Sequence, residues 1–357
     1  MSTDIPHFDI NIKLETPEDD AVKLVCKLKS TWPAKDIKIK YFTAGISNFL
    51  MGCYLPEKPD DIVLIRIYGE SSELFTDRSA ERQAFNILHQ AGLSAPMYCT
   101  FDNGMAYGYL KGKPLTQKMA IHDENIRKLI AQEMAKLHSL NGPEGDGKKV
   151  LFFFKKMDIF FSLCPDSFPD PEKQKIFQTK LGSKKAVQEE YDVLRSRLEK
   201  MDCPVVYSHN DLLLQNIVYD EAADKIGFID YEYCFYNFQA FDIGNHFNEY
   251  AGIDEIDYNL YPNDEYQLSW IRTYLECYKK LTQPSCCEVT DEEVRNFHLN
   301  VQLCSLASHY FWGTWALLQA KYSKIDFDYL GYAVIRFEEY FRRKEEFKLM
   351  LEDMGRL

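Results

Sequence analysis

The hydrophobic period of the chain changes at about residue 110, and this change constrains the fold more than any other feature. Up to Leu110 the apolar residues alternate or gather in short β-branched runs. "DIKIKYFTAG" alternates and ends in a turn, "NFLMGCYL" follows it, and "DDIVLIRIYG" is bounded by acids and Gly69. Such patterning belongs to strands. "DRSAERQAFNILHQAG" interrupts it with Ala84, Phe85, Ile87 and Leu88 on a helical stripe and a glycine stop. "PMYCTF" and "MAYGYL" then read as two short strands around the turn Asp102-Asn103-Gly104.

Beyond Leu110 the helical period takes over. "ENIRKLIAQEMAKLHSL" carries Ile126, Leu129, Ile130, Met134 and Leu137 on one stripe. Residues 141–185 read as irregular, with an aromatic knot at "LFFF", and "KKAVQEEYDVLRSRLEKM" reads as a more polar helix. From about residue 264 three long helices are expected, one opened by a capping box from Thr290 to Glu293. The pattern predicts an α+β, bilobal architecture: a small antiparallel-sheet lobe over residues 1–110 and a large, mainly helical lobe over 111–357. A cleft between lobes is a usual ligand site.

Composition narrows the function classes. Of 357 residues, 46% are hydrophobic and 14% aromatic, which suffices for a large core and rules out general disorder. The balance of 42 basic and 55 acidic side chains, without a Lys/Arg-rich block, argues against a nucleic-acid partner. The N-terminal segment carries acids where a signal peptide needs a basic and then an apolar region. No window approaches the roughly 18 uninterrupted apolar residues of a membrane span, so stable membrane insertion is not expected. The ten cysteines show neither a CxxC pair nor zinc spacing and read as free thiols of a cytoplasmic protein.

The chemistry concentrates in "VVYSHNDLLLQNIVYDEAADKIGFIDYEY", residues 205–233. "VVY" and "KIGFI" are short and β-rich, with a turn-like "DEAAD" between them. Pairing them as neighbours brings Asp211 and Asn216, five residues apart, close to Asp230, nineteen beyond Asp211. A carboxylate and a carboxamide oxygen suit Mg²⁺, which bridges nucleotide phosphates, while a separate aspartate accepts a hydroxyl proton. An ordinary Asp pKa of about 4 makes a poor base, but in a loose transition state positioning the hydroxyl counts for more. The plainer alternative is that these side chains cap turns.

Other residues point the same way. Arg66 is a cation in the middle of a β-branched run and needs a partner, for which Glu81 on the following helix is the candidate. "TAGISN" offers the Gly45 backbone and the Ser47 and Asn48 polar groups to phosphates, although a hairpin turn needing one glycine explains it equally well. Trp312 and Trp315, three apart on one long helix, share a face. Paired indoles can box an ammonium; core packing is the plain alternative. His138 and His209 read as internally hydrogen-bonded rather than catalytic.

"HNDLLLQN", followed by "IDYEY" and "FDIGNHFNEYAG", resembles the choline/ethanolamine kinase family, whose fold is that of protein kinases. The likeness extends through "FTAGISNFLMGCYL", "VLIRIYG", "ERQAFNIL", "YNLYP" and "ASHYFWGTWALLQAKYSKIDFDYLGYAVIRF", roughly residues 38–340. The segments "HNDLL", "GNHFNEYAG" with "DYNLYP", and "ASHYFWGTWALLQAKYS" look more like ethanolamine than choline kinases. The resemblance implies Asp211 as the catalytic aspartate, Asn216 and Asp230 as Mg²⁺ ligands and Asp242 as organiser of the catalytic loop. It implies ATP contacts at Gly45, Ser47, Asn48, Arg66 and Glu81, and a hinge at "AYGYL", with Tyr107 and Tyr109, that meets adenine. Glu232, Tyr233, Glu249, Trp312 and Trp315 would form the amine pocket. The implied reaction is ATP-dependent phosphorylation of the ethanolamine hydroxyl, the entry step to phosphatidylethanolamine, with choline, or both amines, as the alternative small amino alcohol. Family members are often dimers, so a homodimer is the implied assembly. Two positions depart from the family pattern. Gln215 stands where choline kinases usually have Gly and ethanolamine kinases often Lys, and Ala44 takes the first place of a common Gly-Gly pair.

Overall fold

The alternating N-terminal stretches are strands in the computed structural model, which describes residues 5–42, 48–69, 77–143, 151–253 and 255–353. In chain order the first elements are β1 (His7–Phe8), α1 (Pro17–Leu28), β2 (Lys38–Phe42), β3 (Asn48–Leu55) and β4 (Lys58–Tyr68). They are followed by α2 (Arg78–Gln90), β5 (Met97–Phe101), β6 (Gly104–Gly108) and β7 (Lys113–Pro114). Six strands form one sheet in the order β1-β5-β6-β4-β3-β2. Its ladders are antiparallel except where β1 runs parallel to β5, so the expected antiparallel sheet is mixed at this edge.

Helix α1 starts with Pro17 in its first turn beside Glu18, Asp19 and Asp20, where a fixed φ and negative charge both suit a helix N-terminus. It buries Ala21, Leu24 and Val25 in one cluster with Met51, Cys53, Val63 and Ile65 of the sheet. Helix α2 is capped by Asp77, whose carboxylate accepts from the backbone N–H groups of Ser79 and Ala80. Its buried face carries Ala84, Phe85 and Leu88, and with them Glu81.

The chain continues through α3 (Gln117–His122), α4 (Glu124–His138), α5 (Phe152–Leu163), α6 (Pro171–Lys180) and α7 (Lys184–Leu198). Residues 141–185 were expected to be irregular and instead hold two helices. In α5, Phe152, Phe153, Met157, Phe160 and Phe161 are buried along one face, and Lys155, Asp158 and Ser162 are exposed on the other. For α6 the start signals are local: Asp170 caps it and Pro171 occupies the first turn.

Next come β8 (Val205–Ser208), β9 (Ile217–Asp220), β10 (Lys225–Phe228), β11 (Phe235–Phe238) and α8 (Gln239–Asn248). The expected pairing of "VVY" with "KIGFI" is not formed. β8 pairs with β11, and β10 pairs with β9, both antiparallel. The short strand "IVYD" went unread because four residues carry almost no period. A local hairpin closes at little entropic cost; here Asp220 accepts from the N–H groups of Ala222 and Ala223, and Asp224 takes φ 49°.

Contacts divide the chain into two units, Met1–Pro114 with Asn216–Tyr233 and Leu115–Gln215 with Cys234–Leu357. The β9–β10 hairpin pairs with β7 in the first unit. The second unit ends in α9 (Asp264–Thr282), α10 (Asp291–Tyr322) and α11 (Tyr329–Asp353), and the Thr290–Glu293 capping box at the start of α10 is formed. No helix among the described residues is long and apolar enough to cross a membrane.

Helix α8 has all ten residues buried. It can lie this deep because Gly244 meets α10 backbone to backbone. A Cβ there would stand 2.6 Å from Ser305 N and 2.8 Å from Val301 O. Backbone atoms of a packed helix cannot step aside, so Gly244→Ala should lower unfolding stability by about 1–3 kcal/mol. Urea unfolding of the purified variant would read this, and an unchanged midpoint would show that α8 and α10 are not held at this distance.

Candidate active site

In the first unit the site is built around Arg66 on β4, which stands opposite Leu50 of β3 and Met105 of β6. A buried guanidinium needs counter-charge, and Arg66, 4% exposed, has it. Its Nη1 donates to Glu81 Oε1 at 2.9 Å and to Asp230 Oδ1 at 3.0 Å, and its Nη2 donates to Glu232 Oε2 at 2.8 Å. Arg78 supports the same group, donating to Glu81 Oε2 at 3.0 Å and lying 3.6 Å from Glu232. Burial works against the Arg66 charge, but Asp230, Glu81 and Glu232 outweigh it and hold the guanidinium firmly protonated. Burial, and then the charge of Asp230, pushes the Glu232 carboxyl up.

Three carboxyl groups, those of Glu81, Asp230 and Glu232, thus meet around two guanidinium groups. The oxygens of Glu81, Asp230 and Glu232 lie within 4.8 Å of one another. Asp230 takes φ 65°, a left-handed conformation that Asp tolerates better than most residues. Asn216 is tied to the same place, because its carbonyl accepts from Ile229 N–H at 3.0 Å, just beyond the Ile217–Phe228 end of the ladder. A carboxamide and a carboxylate are hard oxygen donors, and this set suits Mg²⁺.

The remaining first-unit candidates are placed as follows. Tyr107 lies on β6 with its ring 5.1 Å from Phe85, and burial pushes its phenol above the ordinary range. Tyr109 N–H donates to Ile62 O at 3.1 Å, so this backbone donor is already used. Tyr233 is buried. Gly45 and Ser47 lie outside the described residues, as does Ala44; Asn48 opens β3 opposite Tyr68, and its side chain too is outside them. Glu232, expected beside the amine, is bonded to Arg66.

In the second unit the organising group is Asp242 of α8. It is fully buried and accepts from three donors: His209 N at 2.6 Å, Asn210 N at 2.6 Å and His138 Nε2 at 3.0 Å. Burial alone would raise this carboxyl, but the hydrogen bond and charge of His138, with the contributions of His209, prevail and hold it below the ordinary value of 3.8. Asn210 turns left-handed at φ 68°, with its side chain held by Asn237 Nδ2 at 2.7 Å and by the Phe235 carbonyl at 3.2 Å. Asp211, next in the chain, is half-buried. His138 and His209 are absorbed in this network, and His138 also meets Tyr274 OH at 2.7 Å.

The same unit brings together three of the expected amine-pocket residues and two that sequence reasoning missed. The Trp312 and Trp315 rings stand edge to face at 5.6 Å. Trp312 Nε1 donates to Asn245 Oδ1 at 2.8 Å, and Ser308 Oγ donates to the same oxygen at 2.8 Å. Glu249 is not a lone carboxylate: Arg336 Nη1 donates to it at 3.0 Å, with both groups buried. Asn245 left no readable signal beyond its place in "GNHFNEY". Arg336 did leave one, since a cation inside the apolar run "YAVIRF" needs a carboxylate just as Arg66 does.

The chain belongs to the choline/ethanolamine kinase family, whose model, described as choline/ethanolamine kinase, matches residues 39–341. It is 41% identical over 348 residues to ethanolamine kinase 1 of Mus musculus, a match covering 97% of this chain and 95% of that protein. Among solved structures it resembles an ethanolamine kinase of Plasmodium vivax with a TM-score of 0.79 at 25% identity, covering 92% of this chain and 89% of that one. It matches a choline kinase of Cryptosporidium parvum with a TM-score of 0.72 at 23% identity, over 95% of this chain and 97% of that one. The fold is therefore the protein-kinase-like α+β fold expected from the sequence.

The Asp242 carboxyl sits below its unfolded value of 3.8, so its stabilisation is fully present above that pH and is lost as pH falls through the lower folded value. Asp242→Asn should cost about 3 kcal/mol or more at neutral pH. The gap between variant and wild type should narrow in acid, below the unfolded value. Denaturant unfolding at stepped pH measures both, and a gap that widens in acid would contradict the assignment.

Proposed function

We propose that the protein transfers the γ-phosphoryl group of ATP to the hydroxyl of ethanolamine, giving phosphoethanolamine and ADP. The observation that carries this reading is the loop His209–Asp211, fastened by Asp242 through two backbone N–H groups with Asp211 half-buried beside them. The near-full-length similarity to ethanolamine kinase 1 supports the choice of amine.

In this reading Asp211 orients the substrate hydroxyl and takes its proton as the oxygen–phosphorus bond forms and the bond to the bridging oxygen of ADP breaks. Arg66, steadied by Glu81 and Glu232, orients the phosphates. Glu232 is assigned to this task rather than to the ammonium. Gly45, Ser47 and Asn48 are assigned to the phosphates, and the stretch around Tyr107 and Tyr109 meets the adenine. Asn216 and Asp230 would hold Mg²⁺, which when bound neutralises phosphate charge. Trp312, Trp315, Glu249 and Tyr233 receive the amine. A cytoplasmic setting fits the ten unpaired cysteines.

One observation favours a second reading, in which choline is also accepted. Arg336 already neutralises Glu249, so the aromatic faces of Trp312 and Trp315 are left to attract the cation, an interaction that needs no N–H. Turnover of both amines on purified protein separates the two. We expect kcat/KM for ethanolamine to exceed that for choline by about tenfold or more, a difference of about 1.4 kcal/mol; equal or reversed values would favour the second reading. Asp211→Asn should lower kcat by about 10²–10⁴ with unchanged unfolding, and near-normal turnover in that variant would overturn the assignment.

A further inference from the structure

Arg336 of α11 is buried, and its two terminal nitrogens reach two other helices of the second unit. Nη1 donates to Glu249 Oε1 at 3.0 Å, at the end of α8, and lies 3.4 Å from Tyr332 OH one turn back on α11. Nη2 donates to Ser308 Oγ on α10 at 3.3 Å. Among the described residues Glu249 is the one carboxylate paired with this guanidinium. The buried imidazole of His309, next to Ser308, takes no share of the charge. Neither of its nitrogens has a partner, and burial, followed by the charges of Arg336, Arg343 and Arg342, pushes its pKa well down and keeps it neutral.

The bonds that lead away from Nη2 can run in one direction only. A guanidinium donates and never accepts, so the Ser308 oxygen is the acceptor, and the single hydroxyl hydrogen goes to Asn245 Oδ1 at 2.8 Å. An indole N–H also only donates, and Trp312 Nε1 takes the other side of the same oxygen at 2.8 Å. Both lone pairs of the Asn245 carboxamide oxygen are then filled. The relay passes from guanidinium to hydroxyl to carboxamide and ends on the indole. A planar group with two terminal nitrogens thus governs two residues assigned to the amine, Glu249 directly and Trp312 through Ser308 and Asn245.

We propose that Arg336 is a positioning residue of the amine pocket, whose fork sets the spacing of the Glu249 carboxylate and the Trp312 ring around a small ammonium. The role rests on the phosphotransfer reading above and deepens it. It concerns capture of the amine and leaves ATP alone, because the ATP contacts assigned above lie in the first unit. Lysine in this place keeps the positive charge but offers one nitrogen on a flexible stem, which does not hold both arms.

Steady-state turnover with ethanolamine and ATP varied in turn tests this. Arg336→Lys should raise KM for ethanolamine by about tenfold, with kcat and KM for ATP within about twofold of wild type. Ser308→Ala cuts only the second arm and leaves the ion pair, so it should raise the same KM by about threefold. Because both substitutions act on one relay, the double variant should raise it by less than the product of the single effects. A wild-type KM for ethanolamine in Arg336→Lys would overturn the proposal. So would a KM for ATP that rises in parallel, as a general loss of structure would produce, or a double variant with fully multiplicative effects. Should Arg336→Lys fail to fold, Ser308→Ala decides alone, and an unchanged KM for ethanolamine there overturns the role. A wild type without ethanolamine turnover removes the functional reading and this role together, whereas normal wild-type turnover with unresponsive variants removes the role of Arg336 only.

Discussion

The carboxylate of Asp242 accepts two consecutive backbone N–H groups, those of His209 and Asn210, and a third bond from His138 on α4. Two short bonds to adjacent peptides fix both the position and the direction of a loop, because each N–H must point at its own oxygen. Asn210 then has to turn left-handed, and Asp211 follows from that turn. The geometry of the loop is thus inherited from a helix packed on every side, whose closeness to α10 is set by Gly244. A charge buried this deeply would be destabilising if any of its donors were removed.

Each unit contains an arginine inside an apolar run, and the two are neutralised differently. Arg66 gathers three carboxyl groups with the help of Arg78, and their oxygens crowd within 4.8 Å of one another. Arg336 meets Glu249 and the Ser308 hydroxyl, and that pair is balanced. The first arrangement can still attract a cation of high charge density. The second leaves little field to attract one, so aromatic faces become the main attraction nearby. The same residue type in the same sequence context thus supports opposite local electrostatics, decided by partners far away in the chain.

The sequence was most legible where one period dominated or a cap was local. Strand β3, helix α4 and the Thr290 capping box fell where spacing put them, and the need of Arg66 for Glu81 followed from burial alone. Helix α5 was missed because it is short and set between stretches rich in proline and glycine, although its buried residues do keep helical spacing. The partner of β8 was missed because four-residue strands leave little pattern. At the site, Asp211, Asn216, Asp230 and Asp242 were readable through their motif, whereas Arg336 and Asn245, which hold other side chains, were not read. Asn245 is polar in a run of polar and apolar residues, and nothing in its spacing marks it as the acceptor for Trp312.

Under the proposed assignment of Trp312 to the amine, that last contact bears on attempts to change the ligand. Trp312 is held at its nitrogen by Asn245, whose oxygen is held in turn by Ser308, which also receives Arg336. An indole fixed in this way has little rotameric freedom left to lose when a ligand arrives, so the wall is ready-made. It also cannot be reshaped one residue at a time. A smaller ring at position 312 would strand the Asn245 oxygen and loosen the serine and arginine behind it. A redesign of selectivity would therefore have to exchange the tryptophan, the asparagine and the serine as one unit.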